Sequence, residues 1–226
     1  MKQQMLIKNI NLKRHISTNM DISINTDRCS FMINLVSKKR FQILELILEK
    51  KQFTQYGLKK ELKTGMSIVN DTINILLEKE FIKKQDNKYI LSDEKGLLEL
   101  IAFLKPINKS ILLKINTSLT KKDLISRLPK ETIFCLDTAL NQYTNYYESN
   151  RICVYATNKT LAKIKSSFFS PGKTTELVIF QAEPELTKKE TISANGINYT
   201  NATRTIIDLY CDNKAFLADK IIGKVK

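Results

Sequence analysis

The sequence contains no tryptophan, a single histidine at position 15, only six glycines and four prolines, and no long apolar run. Each shortage excludes something. One imidazole leaves no second ligand for a His-based metal site and none to spare for a histidine-dependent triad. The glycines are scattered through turns rather than gathered into a phosphate-cradling loop. A bilayer span needs roughly 18 uninterrupted apolar residues, and the N-terminal stretch has no apolar signal core. The chain is therefore expected to be soluble and cytoplasmic, with no membrane partner, no metal and no cofactor. Four cysteines, at 29, 135, 153 and 211, show none of the close spacing of a zinc knuckle or redox dithiol. The contexts Phe134-Cys135-Leu136, Ile152-Cys153-Val154 and Tyr210-Cys211 are apolar and read as buried, reduced thiols.

What is present is ordinary for a folded protein: 226 residues, 42% hydrophobic, enough for one large or two small domains. Charge is the exception. Lysine and arginine number 37 against 23 aspartates and glutamates, a formal +14 that favours a polyanionic partner. The excess is divided evenly, with +7 on residues 1 to 108 and +7 on residues 109 to 226.

Residues 1 to 36 alternate polar and apolar in short pieces, as in Met20-Asp21-Ile22-Ser23-Ile24 and Phe31-Met32-Ile33-Asn34-Leu35, and read as a strand-rich arm. From Ser37 the period becomes helical. Phe41, Leu44, Ile47 and Leu48 define a helix over about 38 to 50, after Lys38-Lys39-Arg40. Thr54 can cap a short helix carrying Leu58 and Leu62, and Lys63-Thr64-Gly65 leads into a helix over about 67 to 79. Met66, Val69, Ile73, Leu76 and Leu77 fall on one side of that helix; Ser67, Asp71, Asn74 and Glu78 fall opposite, with Asn70 at the edge. Two short strands around Gln85-Asp86-Asn87 then suggest a hairpin, and Ser92 is placed to cap a helix ending before Pro106. Residues 37 to 108 thus read as a winged helix-turn-helix, an order in which the second helix enters the major groove of double-stranded DNA. Ser67, Asn70 and Asn74 are the candidate base readers. Lys63, Thr64, Lys83, Lys84 and Lys88 are the candidate phosphate contacts, with Lys38, Lys39 and Arg40 available to the flanking backbone.

Residues 109 to 226 alternate strand and helix: a strand at 111 to 115, helices at 122 to 128 and 131 to 143, a strand at 152 to 156, a helix at 161 to 168 and a strand at 177 to 180. Asn195-Gly196 suits the turn of a hairpin before helices near 203 to 210 and 214 to 222. The fold class expected is α+β, a winged helix-turn-helix followed by a small α/β domain.

The winged helix, the run Thr132-Ile133-Phe134-Cys135-Leu136-Asp137-Thr138-Ala139-Leu140 and the strand at 152 to 156 together resemble the AbiEi family of antitoxin-like transcriptional regulators. Gly196-Ile197-Asn198-Tyr199 and Arg204-Thr205-Ile206-Ile207-Asp208-Leu209 look like that family's "G-I-x-Y … R-T-x-x-D-L" tail. The resemblance spans residues 37 to 226 and leaves the first 36 unmatched. It implies an autorepressing DNA-binding protein with a cognate toxin operon, and a C-terminal domain resembling a catalytically silent nucleotidyltransferase. The expectation is a homodimeric, non-enzymatic regulator, since paired half-sites give a small reader affinity and register. Two rivals remain at this level. One is a nucleotidyltransferase or nuclease using Asp137, Asp208 or Glu183 as metal ligands; the other is a protein-interaction module with incidental charge.

Overall fold

The computed structural model describes residues 34–167, 170–183 and 190–223. Most of the N-terminal arm lies outside these residues. Its described end, Asn34–Val36, is a single 3-10 turn that buries Leu35 completely, not a strand.

The first half is helical apart from one small sheet. Helix α1 (Lys38–Lys50) leads through strand β1 (Gln52–Phe53) to α2 (Gln55–Leu62) and α3 (Met66–Glu78). The Thr54 hydroxyl caps α2 by accepting from the Gly57 amide at 3.0 Å, and Lys63 closes that helix in the left-handed region at φ 47°. Strands β2 (Ile82–Gln85) and β3 (Lys88–Leu91) form the hairpin, with β1 added antiparallel along the outer edge of β3. Helix α4 (Glu94–Leu104) follows. Its cap is Asp93, which accepts from the Gly96 amide at 2.9 Å, and not the expected Ser92. The Ser92 hydroxyl is already committed to the Glu80 carbonyl at 2.8 Å.

The second half is a six-stranded mixed sheet in the order β4-β7-β6-β5-β9-β8. Its strands are β4 (Ile111–Thr117), β5 (Ile133–Phe134), β6 (Arg151–Ala156), β7 (Thr175–Gln181), β8 (Thr191–Ala194) and β9 (Ile197–Thr200). Asn195 and Gly196 both take positive φ, 52° and 77°, as a two-residue type I′ hairpin turn requires. The helix expected over 131 to 143 is replaced by β5 and the short α6 (Leu136–Leu140). Ile133 and Phe134 pair on both sides, with β6 and with β9, and Leu136 turns the chain at φ 52°, which no continuous helix tolerates. Sheet hydrogen bonding here overrides an apolar spacing that looks helical.

Helices cover both faces of the sheet. On the outer face, α5 (Lys121–Arg127) and α7 (Asn158–Ser166) pack Leu124 and Ile164 onto Ile152, Val154, Leu177 and Ile179. On the inner face, Cys153, Tyr155, Val178 and Phe180 join a core that runs without interruption through α8 (Ala202–Cys211) to Phe41, Ile47, Ile73 and Ile101 of the first half. Every residue of α8 from Arg204 to Cys211 is buried. A helix with no solvent face must be covered on all sides, and α1, α4, α6 and the four-residue α9 (Ala215–Ala218) supply the cover. The helix expected over 214 to 222 is reduced to α9 and turns running to Gly223. Cys135, Cys153 and Cys211 are buried and free, and burial raises each thiol pKa above its usual range. Among the described residues no helix is long and apolar enough to cross a membrane.

Candidate nucleic-acid interface

Helix α3 is amphipathic for a simple reason. Val69, Thr72, Ile73, Ile75 and Leu76 are buried against α1 and α2, whereas Ser67, Asn70 and Asn74 stand exposed on the opposite side. Thr72 meets the demands of burial by donating its hydroxyl proton to the Ile68 carbonyl at 2.7 Å. Asp71, the acid nearest the polar face, is engaged by the Arg40 guanidinium of α1 at 3.5 Å. That contact draws Arg40 away from the open surface and offsets one negative charge beside the three exposed polar side chains, while Glu78 on the same side stays exposed with Lys79 at 3.6 Å.

The hairpin follows α3 directly, joined by the Phe81 amide bonding back to the Leu76 carbonyl. Cross-strand register places Lys83 opposite Ile90 and Gln85 opposite Lys88, so these four share one face of the ribbon. Ile82, Lys84, Tyr89 and Leu91 share the other, where Ile82 and Tyr89 enter the core and Lys84 remains exposed near the tip. Lys63, Lys83, Lys84 and Lys88 are exposed and form no ion pair among the described residues. Thr64 departs from the expected set. It is 9% exposed, with its hydroxyl turned inward and unpaired among the described residues, so a side-chain phosphate contact there is not available. Exposed lysines on the hairpin that follows a helix with an exposed polar face are suited to phosphate neutralisation and base-edge contact respectively.

The carboxylates weighed for catalysis are occupied by cations. Asp137 is bound by Lys214 at 2.7 Å and approached by Arg151 at 3.5 Å. Asp208 accepts from Arg204 at 2.9 Å and from the Tyr155 hydroxyl at 2.9 Å. Glu183 is held by Arg204 at 3.0 Å and by Lys105. Among the described residues no three His, Cys, Asp or Glu side chains gather in a group fit for a metal ion.

Arg204 is the centre of a buried cluster that sequence reasoning did not assemble. Besides Asp208 and Glu183 it donates to Glu45 of α1 at 2.8 Å and to the Tyr155 hydroxyl at 3.2 Å. Burial raises the Glu45 and Asp208 carboxyls above their usual range despite Arg204. Glu183 goes the other way: burial pushes it up, but Arg204 and Lys105 outweigh burial and hold it at about 2. A carboxylate depressed on folding contributes stability that is full above the unfolded value near 4.5 and lost as pH falls through about 2. Glu45 and Asp208, raised on folding, act with the opposite sign. Glu183→Gln is therefore expected to lower stability at pH 6, with its difference from the parent shrinking steadily as pH falls from about 4.5 to 2; urea unfolding at several pH values measures this. A pH-independent difference counts against the assignment.

The chain matches no family model, no curated protein and no solved structure in comparisons with known proteins.

Proposed function

We propose that the chain is a DNA-binding transcriptional regulator, an autorepressing, antitoxin-like protein in which α2, α3 and the hairpin act as a winged helix-turn-helix. The observation that carries this reading is the exposure of Ser67, Asn70 and Asn74 on α3, together with Lys83, Lys84 and Lys88 on the hairpin that follows it, which are exposed and form no ion pair among the described residues. Asparagine side chains suit bidentate contact with adenine, and serine donates or accepts at either base. In this reading the α/β half is the regulatory or antitoxin module of an AbiEi-like protein, related in fold to nucleotidyltransferases without their chemistry. The regulator acts as a homodimer on an inverted repeat upstream of its own gene.

The deciding experiment is fluorescence anisotropy against a duplex from that upstream region and a scrambled duplex, each across a range of salt. Preference for the native duplex that persists at physiological salt is the expected result; equal, steeply salt-dependent binding to both removes the regulator reading. Lys83→Ala with Lys88→Ala, the pair on one face of the hairpin, should weaken binding to both duplexes alike and reduce the salt slope by about two. An unchanged slope places the hairpin off the DNA.

A further inference from the structure

The even division of charge between the two halves leaves the second +7 unexplained by a reader in the first. Topology shows where it sits. Residues 121–131 and 158–166, which hold α5, α7 and the turn after α5, carry seven basic and two acidic residues. The rest of the described second half carries seven basic and eight acidic. A general bias toward lysine would spread cations over every face. Here +5 lies on one helix layer and −1 on the rest of the described second half, the remaining +3 belonging to residues outside the described ones.

We propose that this outer layer is a second nucleic-acid surface, binding phosphodiester backbone outside the stretch contacted by α3. The two helices cover the same face of the sheet through Leu124 and Ile164, so their polar sides point outward together. Lys121 is paired with Glu148 and Lys163 with Glu131. Lys122, Lys130, Lys159 and Lys165 are exposed and have no ion-pair partner among the described residues. The nine residues of α7 extend about 13 Å, a distance over which duplex DNA presents about eight phosphate charges. A polymer of regularly spaced charge fits such an open, extended array. An anionic membrane fits it less well, because a helix lying in a bilayer interface inserts large apolar side chains. Among the described residues the exposed large hydrophobics are Tyr56, Phe103, Tyr146, Ile192 and Phe216, none of them on α5 or α7.

The proposal rests on the nucleic-acid reading of the chain but does not require α3 to be the reader. Its test compares two full-length triple variants with the same change in net charge. One is Lys122→Glu, Lys159→Glu and Lys165→Glu on the outer layer. The other is Lys109→Glu, Lys114→Glu and Lys220→Glu, away from it. Binding to a long duplex is followed through a salt titration, with thermal melting to verify folding and Lys→Gln at the outer positions as a milder second set. The outer-layer glutamate variant should lose about tenfold or more in affinity and about three units of salt slope, and the glutamine set should lose a similar slope. The control should change affinity by much less. Equal losses in outer-layer and control variants assign the effect to net charge and overturn the proposal, as does unchanged binding in the outer-layer variant. Loss of binding to phosphatidylserine vesicles with duplex binding intact also overturns it, in favour of a membrane. If the parent shows no preference between native and scrambled duplex, yet the outer-layer variant alone loses slope, the regulator reading fails while the second surface stands.

Discussion

Replacing Arg204 by alanine is expected to cost about 3–5 kcal/mol of folding stability, because it strands the buried carboxylates of Glu45 and Asp208, for which Arg204 is the ion-pair partner among the described residues. Glu45 and Asp208 lie 2.8 and 2.9 Å from the guanidinium and are almost wholly withdrawn from water. For a protein of this size the loss corresponds to a Tm lower by roughly 6–20 °C. Burial by itself favours neutral Arg204, yet Asp208, Tyr155, Glu45 and Glu183 hold it firmly charged. The size of the effect measures what removal leaves behind more than what the cluster contributes. Converting Arg204, Glu45 and Asp208 together to apolar residues of similar volume should therefore recover much of the loss. Thermal and urea unfolding of the single and triple variants separate the two cases, and a single-variant loss under about 1 kcal/mol contradicts the buried-charge account.

The second large effect concerns discrimination rather than stability. Asn70→Ala and Asn74→Ala should each remove about 1–3 kcal/mol of preference for the native duplex, since a bidentate contact with one base is lost. Binding to a scrambled duplex should barely move, because backbone contacts carry it. The readout is the ratio of the two affinities at fixed salt. Parallel weakening on both duplexes would mean that α3 meets the backbone, or sits clear of the groove.

Much of the first half was legible because its elements announce themselves locally. The apolar spacing of Val69, Ile73 and Leu76 defines the buried side of α3, and the turn Asp86-Asn87 separates two strands whose alternation holds in the register. The helix expected across 131 to 143 failed for the opposite reason. Ile133 and Phe134 are claimed by strands β6 and β9, distant in sequence, and no local spacing signals that competition. Ser92 lost its capping role to a neighbour one residue on, a difference that sequence preference cannot resolve when both residues are good caps. Of the buried cluster, Arg204 and Asp208 stand out in the sequence only as parts of one tail motif, not as the ion pair that their four-residue spacing allows. Glu45, between Leu44 and Leu46 on a helix, carries no mark of a partner on α8. The segregation of cations onto α5 and α7 was likewise hidden until the sheet showed that the two helices share a face.

The contact between Glu45 and Arg204 joins residues 159 positions apart. On a ribosome adding about 5–20 residues per second, Glu45 is made roughly 8–30 s before its cation exists. Through that interval α1 carries an acid without its guanidinium partner and apolar residues that share one core with Ile206 and Ile207 of α8. A helix made early is thus covered late. A nascent chain halted after residue 108 should present this uncovered face to chaperones, and completing the chain should withdraw it.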